Sequence, residues 1–89
     1  IKDLILGYFF AEDFNKVVEL SFDIRIMDTR SLALILYSRS KLNQDIKVSS
    51  EYQSFKGEFK DTDWEQTIDR FHIQDENIKN TLLNFIKDI

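Results

Sequence analysis

Apolar and polar residues alternate along the middle of the chain. In residues 20–26 every second residue is apolar, which is the period of a strand with one buried face. The polar residues 28–31 follow, beginning with Asp, and favour a turn. Apolar residues then return in 32–39. The pattern predicts a β-hairpin over about residues 16–40.

Two flanking segments extend the predicted sheet to three or four strands. In residues 45–60 the apolar positions change parity near Ser54, which indicates a bulge or a tight turn. The apolar residues 4–10 fit a buried strand or, nearly as well, a short helix that begins after Asp3. Both interpretations of this segment remain open.

The last third of the chain changes to the periodicity of a helix. Trp64, Ile68 and Phe71 are spaced by four and three residues, which places them on one helical face. A second helix is predicted to begin with Asp75 as its N-cap. Its apolar stripe consists of Ile78, Leu82, Phe85, Ile86 and Ile89. One continuous helix would place Asp75 in an apolar seam, so two helices with a break near His72 are favoured.

These patterns predict a single α+β domain over residues 1–89. Its small antiparallel sheet of three or four strands, with the hairpin at its centre, is packed by two C-terminal helices. Two helices can cover one face of such a sheet but hardly both. The other face would carry Ala33, Ile35 and Tyr37. It is either wrapped by loops or left as an apolar strip for a partner or for a second copy in a homodimer.

Composition excludes most catalytic and metal-binding classes. The 89 residues include no Cys and one His, His72. A Cys nucleophile, a thiolate metal site and a two-histidine metal site therefore cannot be assembled. Residues 61–72 begin like a calcium loop but have Gln66 where Gly is needed and His72 where Glu is needed. We expect a protein that is not an enzyme and that uses no cofactor and no metal.

Hydropathy and Cys content bear on the location of the protein. The longest apolar segment, residues 4–11, is far shorter than the roughly 20 residues that cross a bilayer. The lack of Cys fits a reducing compartment. We therefore expect a cytoplasmic location and no membrane partner.

Negative charge is concentrated in the C-terminal third. The net charge of the chain is −4. Residues 16–50 carry six bases and four acids, whereas residues 51–89 carry nine acids and five bases. Six of those acids lie in residues 61–76, where Arg70 is the single base. Such a cluster is either a solvated helix face or a docking patch for a basic partner.

In size and charge the chain is similar to bacterial toxin-neutralising immunity proteins. This likeness is one of overall properties and is not carried by a motif. It implies a protein that covers a basic surface of a partner protein, such as a nuclease toxin, with carboxylates and aromatic side chains. The residues expected to contact the partner are Asp61, Asp63, Glu65, Asp69, Tyr52 and Tyr37.

Two other functions remain open. One is that of a structural or dimerisation domain cut from a longer protein. Nucleic-acid binding through the sheet would place bases on backbone phosphates and stack Tyr37 on a nucleobase. The bases concerned are Arg25, Arg39, Lys41 and Lys47. Because phosphate contacts dominate such affinity, the net negative charge opposes this function, and we expect no nucleic-acid partner.

Overall fold

Helices make up all the regular secondary structure that is described. The computed structural model describes residues 2–89. Its elements are α1 (Lys2–Phe10), α2 (Phe14–Ser21), α3 (Thr29–Lys41), a 3₁₀ helix (Ile46–Val48), α4 (Ser50–Lys56), α5 (Trp64–Asp69) and α6 (Glu76–Asp88). No residue from 2 to 89 lies in a β-strand. None of the helices in this range is both long enough and apolar enough to cross a membrane.

The predicted antiparallel sheet is therefore wrong, and so is the α+β class. The hairpin predicted over residues 16–40 is replaced by α2, a loop at residues 22–28, and α3. The alternation in residues 20–26 comes from the end of α2 and the loop that follows it. In that loop Phe22 and Ile26 are each 79% exposed. The alternating apolar positions do not share a buried face.

The other two predicted strands are helical as well. Residues 4–10 lie in α1, which agrees with the alternative of a short helix at this place. The segment predicted as a bulged strand at residues 45–60 contains the 3₁₀ helix and α4. Its parity change near Ser54 falls inside α4, which ends with Gly57 as its C-cap.

Helix α3 forms the centre of the molecule. It packs against α1, α2, α4, α6 and the 3₁₀ helix. Residues 31–36 are all buried, and so is Ser38. A helix that is buried on every side lacks the one-sided apolar stripe of a surface helix. A short continuous apolar segment cannot be assigned to strand or helix from periodicity alone. The apolar pattern of residues 32–39 is therefore ambiguous, and the strand that it predicts is in fact the central helix.

The polar residues before α3 begin this helix instead of forming a hairpin turn. The Asp28 carboxylate accepts a hydrogen bond from the backbone N–H of Ser31 at 2.8 Å, which makes it the N-cap. Partial burial by itself would raise the pKa of Asp28. Hydrogen bonding from Ser31 and the positive charges of Lys2 and Arg30 outweigh that effect and lower this pKa below its ordinary value. The cap is therefore ionised at neutral pH.

The two C-terminal helices are present, and the chain breaks between them as expected. Asp75 is the N-cap of α6 and accepts hydrogen bonds from the backbone N–H groups of Asn77 and Ile78. His72 has a φ of 61°, a left-handed conformation that interrupts helical geometry. The predicted apolar stripes face the core: Ile68, Leu82 and Ile86 are each at most 3% exposed.

Replacing Gly7 with Ala should stabilise the protein. Gly7 lies exposed within α1, and a methyl group there would meet no atom within 4 Å. Since Ala favours a helix over Gly by about 0.5–1 kcal/mol, we expect a gain of that size in the free energy of unfolding. Chemical denaturation measures it. Gly57→Ala is the control and should give no gain, because its methyl group would lie 3.0 Å from the Gln53 carbonyl oxygen. An equal or lower stability of Gly7→Ala would contradict this expectation.

Candidate functional site

The carboxylates expected to contact a partner lie together at the start of α5 and within it. Asp61, Asp63, Glu65 and Asp69 are all exposed. Asp63 is also the N-cap of α5, since its side chain accepts the backbone N–H of Gln66 at 3.2 Å. We call residues 61–69 the acidic segment. One of its four carboxylates therefore also begins the helix.

Lysines of α6 pair with two carboxylates of the acidic segment. Lys79 Nζ lies 2.6 Å from Asp69 Oδ1, and Lys87 Nζ lies 3.6 Å from Glu65 Oε2. The hydrogen bond from Lys79, together with its charge, lowers the pKa of Asp69. These pairs are exposed and add little stability, but they reduce the negative potential of the segment. Within residues 2–89, Asp61 has neither an ion pair nor a capping role.

Tyr52 lies on α4, half-buried, and is connected to the acidic segment through packed rings. Its ring centroid is 6.3 Å from that of Phe55, which is 5.5 Å from that of Trp64. The ammonium of Lys56 lies 5.6 Å from the Tyr52 ring centroid. Tyr52 is thus part of the packing between α4 and α5 and shows only part of its surface to solvent.

Tyr37 lies elsewhere, in a cluster of aromatic rings around the end of α1. Its ring centroid is 5.7 Å from Phe9, 6.0 Å from Phe14 and 5.4 Å from Phe85, all in edge-to-face geometry. Phe9 in turn contacts Phe10 at 6.0 Å. Each such pair contributes about 0.5–1.5 kcal/mol beyond the burial of its surface, so the rings hold one another in place. The structure therefore does not place Tyr37 with the acidic segment.

A cavity of about 280 Å³ opens beside this cluster, and we call it the aromatic pocket. It lies between the end of α1, the start of α2, α3 and the first half of α6. Phe9 and Leu82 are buried at its base, whereas Phe10 is 45% exposed at its edge. The lining residues are Phe9, Phe10, Glu12, Phe14, Tyr37, Asn77, Ile78, Thr81 and Leu82.

Of residues 2–89, Glu12 is the one charged residue that lines the aromatic pocket. It has a φ of 59° and forms the turn between α1 and α2. Its backbone N–H donates to the Phe9 carbonyl at 3.0 Å, and that of Asp13 donates to the Tyr8 carbonyl at 2.9 Å. These hydrogen bonds hold the turn and so fix the position of the Glu12 backbone. No hydrogen bond or ion pair with residues 2–89 engages the Glu12 carboxylate.

Sequence patterns did not reveal the aromatic pocket. They place Tyr37 on an open sheet face and do not connect it with the end of α1. The one signal that points to the pocket is the density of aromatic residues in 8–14, where four of seven are Phe or Tyr. These residues meet Tyr37 and α6 only through the tertiary fold.

The bases considered for nucleic acid are dispersed or already paired. Arg39 Nε lies 2.5 Å from Glu51 Oε1 in a mostly buried ion pair. Lys41 Nζ lies 5.6 Å from the Tyr37 ring centroid. Arg25 lies in the loop before α3, separated from Lys41 by the length of that helix. Since no strand forms in the part of the chain described, the sheet on which nucleic-acid binding depended is missing.

Comparisons with protein-family models, with curated proteins and with solved structures find no match to this chain. Across residues 2–89, no group of three or more His, Cys, Asp or Glu side chains is placed to hold a metal ion. The aromatic pocket combines buried rings with one exposed carboxylate, an arrangement suited to binding.

Proposed function

We propose that this chain is a protein-binding module that holds a partner protein with a basic surface and so blocks or regulates it. The aromatic pocket, where a carboxylate is the single charged group among the described lining residues, is the observation that carries the proposal. Protein interfaces concentrate their binding energy in a few anchors that fill well-packed apolar pockets inside a polar rim. A carboxylate on that rim favours a partner that presents Lys or Arg.

Further carboxylates extend the negative charge beyond the pocket. Glu76 directly precedes Asn77, which lines the aromatic pocket. The acidic segment lies against the opposite face of α6, where Asp69 pairs with Lys79. Exposed charges of this kind act mainly on the association rate and on its salt dependence. In the proposed function they attract the partner, and the aromatic pocket anchors it.

Neutralisation of a basic toxin, such as a nuclease, is the form of this function that size and charge favour. Such a protein needs only a complementary surface, and it needs no chemistry of its own. The net charge of −4 complements a site that binds nucleic acid, because such a site is positively charged. An inhibitor of this kind would act in the cytoplasm of the cell that makes the toxin.

The proposal is tested by capturing the partner from an extract of the native host and titrating the purified partner against two variants. Thr81→Trp places a bulky ring at the exposed edge of the aromatic pocket, whereas Asn84→Trp places it on α6 outside the pocket. We expect Thr81→Trp to weaken binding about tenfold or more, which is about 1.4 kcal/mol, and Asn84→Trp to bind normally. Equal affinity of both variants and the wild type would contradict the proposed surface.

The same titration separates attraction from anchoring. Asp61→Lys reverses an exposed charge that has no partner within residues 2–89, so its thermal melt should match that of the wild type. We expect slower association at low salt and little effect on dissociation. An unchanged association rate would mean that the acidic segment is a solvated face.

A further inference from the structure

We propose that the aromatic pocket binds one aromatic side chain of the partner together with a neighbouring Lys or Arg, whose cation pairs with Glu12. This inference rests on the proposed function and adds the chemistry of the recognised segment. Four features of the pocket support it: its size, the rings around it, the charge at its edge and the cap on α6.

The size of the cavity fits one ring. Pockets for drug-sized ligands and cofactors usually measure about 300–1,000 Å³, and an apolar cavity of about 150 Å³ is enough for benzene. At about 280 Å³, the aromatic pocket is large enough for one aromatic side chain and lies at the lower end of the range for ligand sites. A protein segment that inserts a single side chain fits this volume.

The rings around the cavity favour an aromatic occupant. Phe9, Phe14 and Tyr37 already pack edge-to-face, with centroids 5.7–6.1 Å apart. A ring inserted beside them can extend this geometry, whereas an aliphatic side chain gains only the burial of its surface. Phe10 keeps 45% of its surface exposed at the edge, and an inserted ring would cover part of it. That burial would add to the affinity.

The charge at the edge favours a cation beside the ring. Glu12 starts from a turn held by two backbone hydrogen bonds, and its carboxylate has no competing partner in the described residues. Among residues 2–89 no base lines the pocket; Lys41 Nζ lies 5.6 Å from the centroid of the Tyr37 ring. A basic residue next to the inserted ring would therefore meet a carboxylate and no base among the lining residues described.

The N-terminus of α6 also faces this region and by itself would favour an anion. Asp75 removes that preference, because its carboxylate already accepts the N–H groups of Asn77 at 2.9 Å and Ile78 at 3.3 Å. The positive end of the helix dipole is thus compensated by the chain itself. Glu12 remains the charge that selects the ligand.

The test is an NMR titration of the full chain with three capped tripeptides at low ionic strength. Acetyl-Lys-Phe-Lys-amide carries both proposed features, acetyl-Lys-Ser-Lys-amide lacks the ring, and acetyl-Glu-Phe-Glu-amide reverses the charge. We expect the first to bind with a dissociation constant of about 1 mM, as suits so small a ligand, and to shift amide signals around the pocket. The other two should bind at least about tenfold more weakly.

Two variants test separately the carboxylate and the pocket. Glu12→Gln should reduce the preference for the Lys-flanked over the Glu-flanked peptide by about tenfold while binding of the ring persists. Glu58→Gln, an exposed acid that does not line the aromatic pocket, is the matched control and should behave like the wild type. Thr81→Trp should abolish binding of all three peptides, with a thermal melt to show that it folds.

Several results would overturn the inference. Equal binding of the Ser peptide would remove the aromatic anchor, and equal binding of the Glu-flanked peptide would remove the role of Glu12. Pocket signals that shift with protein concentration alone would identify a second copy as the occupant. If no peptide binds but Thr81→Trp still weakens binding of the purified partner, the proposed function stands and the proposed ligand chemistry is wrong. If the peptides bind but the partner binds Thr81→Trp as tightly as the wild type, the partner must bind to another surface.

Discussion

Replacing Arg39 with Ala should lower the free energy of unfolding by about 3–5 kcal/mol, because Glu51 then remains buried without its partner. Arg39 Nε lies 2.5 Å from Glu51 Oε1, and the two side chains are 15% and 7% exposed. The pair joins the end of α3 to α4. A carboxylate this well buried is costly to leave without its counter-ion. Chemical denaturation of the full chain measures the loss.

The surrounding hydrogen bonds explain why this pair is tolerated in the interior. Arg39 Nη1 donates to Gln44 Oε1 at 2.9 Å, and Ser50 Oγ donates to Glu51 Oε2 at 2.6 Å. Each charge therefore has a second partner, which is the condition under which a buried polar network is stable. The network fixes how α4 packs on α3.

The control for Arg39→Ala is Arg25→Ala, which removes an exposed base from a loop and should change stability by less than about 0.5 kcal/mol. The double variant Arg39→Met with Glu51→Leu should recover most of the lost stability, because neither charge is then left unpaired. A loss for Arg39→Ala no larger than that for Arg25→Ala would show that the ion pair is solvated.

The C-terminal third of the fold was predictable from the sequence because its signals are local. Asp75 accepts hydrogen bonds from residues two and three positions along the chain, so its capping role can be inferred from a short stretch. Helix α6 also has one buried face, with Leu82 and Ile86 four residues apart. A helix at the surface of a core shows its period in the sequence.

Helix α3 and the loop before it were not predictable in this way, because burial there does not follow a period. Residues 31–36 are buried on all sides of α3, which removes the contrast between faces. Phe22 and Ile26 are apolar and yet exposed, so the alternation around them has no structural meaning. Both exceptions are set by tertiary packing, which local patterns do not contain.

The candidate site was predictable only in part. The acidic segment is exposed, as the charge pattern suggested, but the pairing of Asp69 with Lys79 crosses from one helix to another. The aromatic pocket joins residues near position 10 to Tyr37 and to Thr81, which are far apart in the sequence. Contacts of that range become visible only once the helices are placed.

Because α3 is central, the single variants Leu34→Ala and Ile35→Ala should each cause a large loss of stability. Both side chains are fully buried. Truncating a buried Leu or Ile to Ala costs about 2–5 kcal/mol, so each variant should lose that much stability in chemical denaturation. If residues 32–37 formed a strand with one open face, these neighbours would point to opposite sides and only one variant would be costly. Two large losses therefore distinguish a helix that is buried all round.

Ser40→Ala is the control within the same helix, since Ser40 is exposed and its replacement should change stability by less than about 0.5 kcal/mol. If either Ala variant fails to fold, Ile35→Val removes a single methylene and should still cost about 0.5–1.5 kcal/mol. A large loss for Leu34→Ala beside a negligible one for Ile35→Ala, or the reverse, would contradict the central helix. The expected result is a pair of losses of similar size, because the neighbouring helices surround α3 and leave neither side chain exposed.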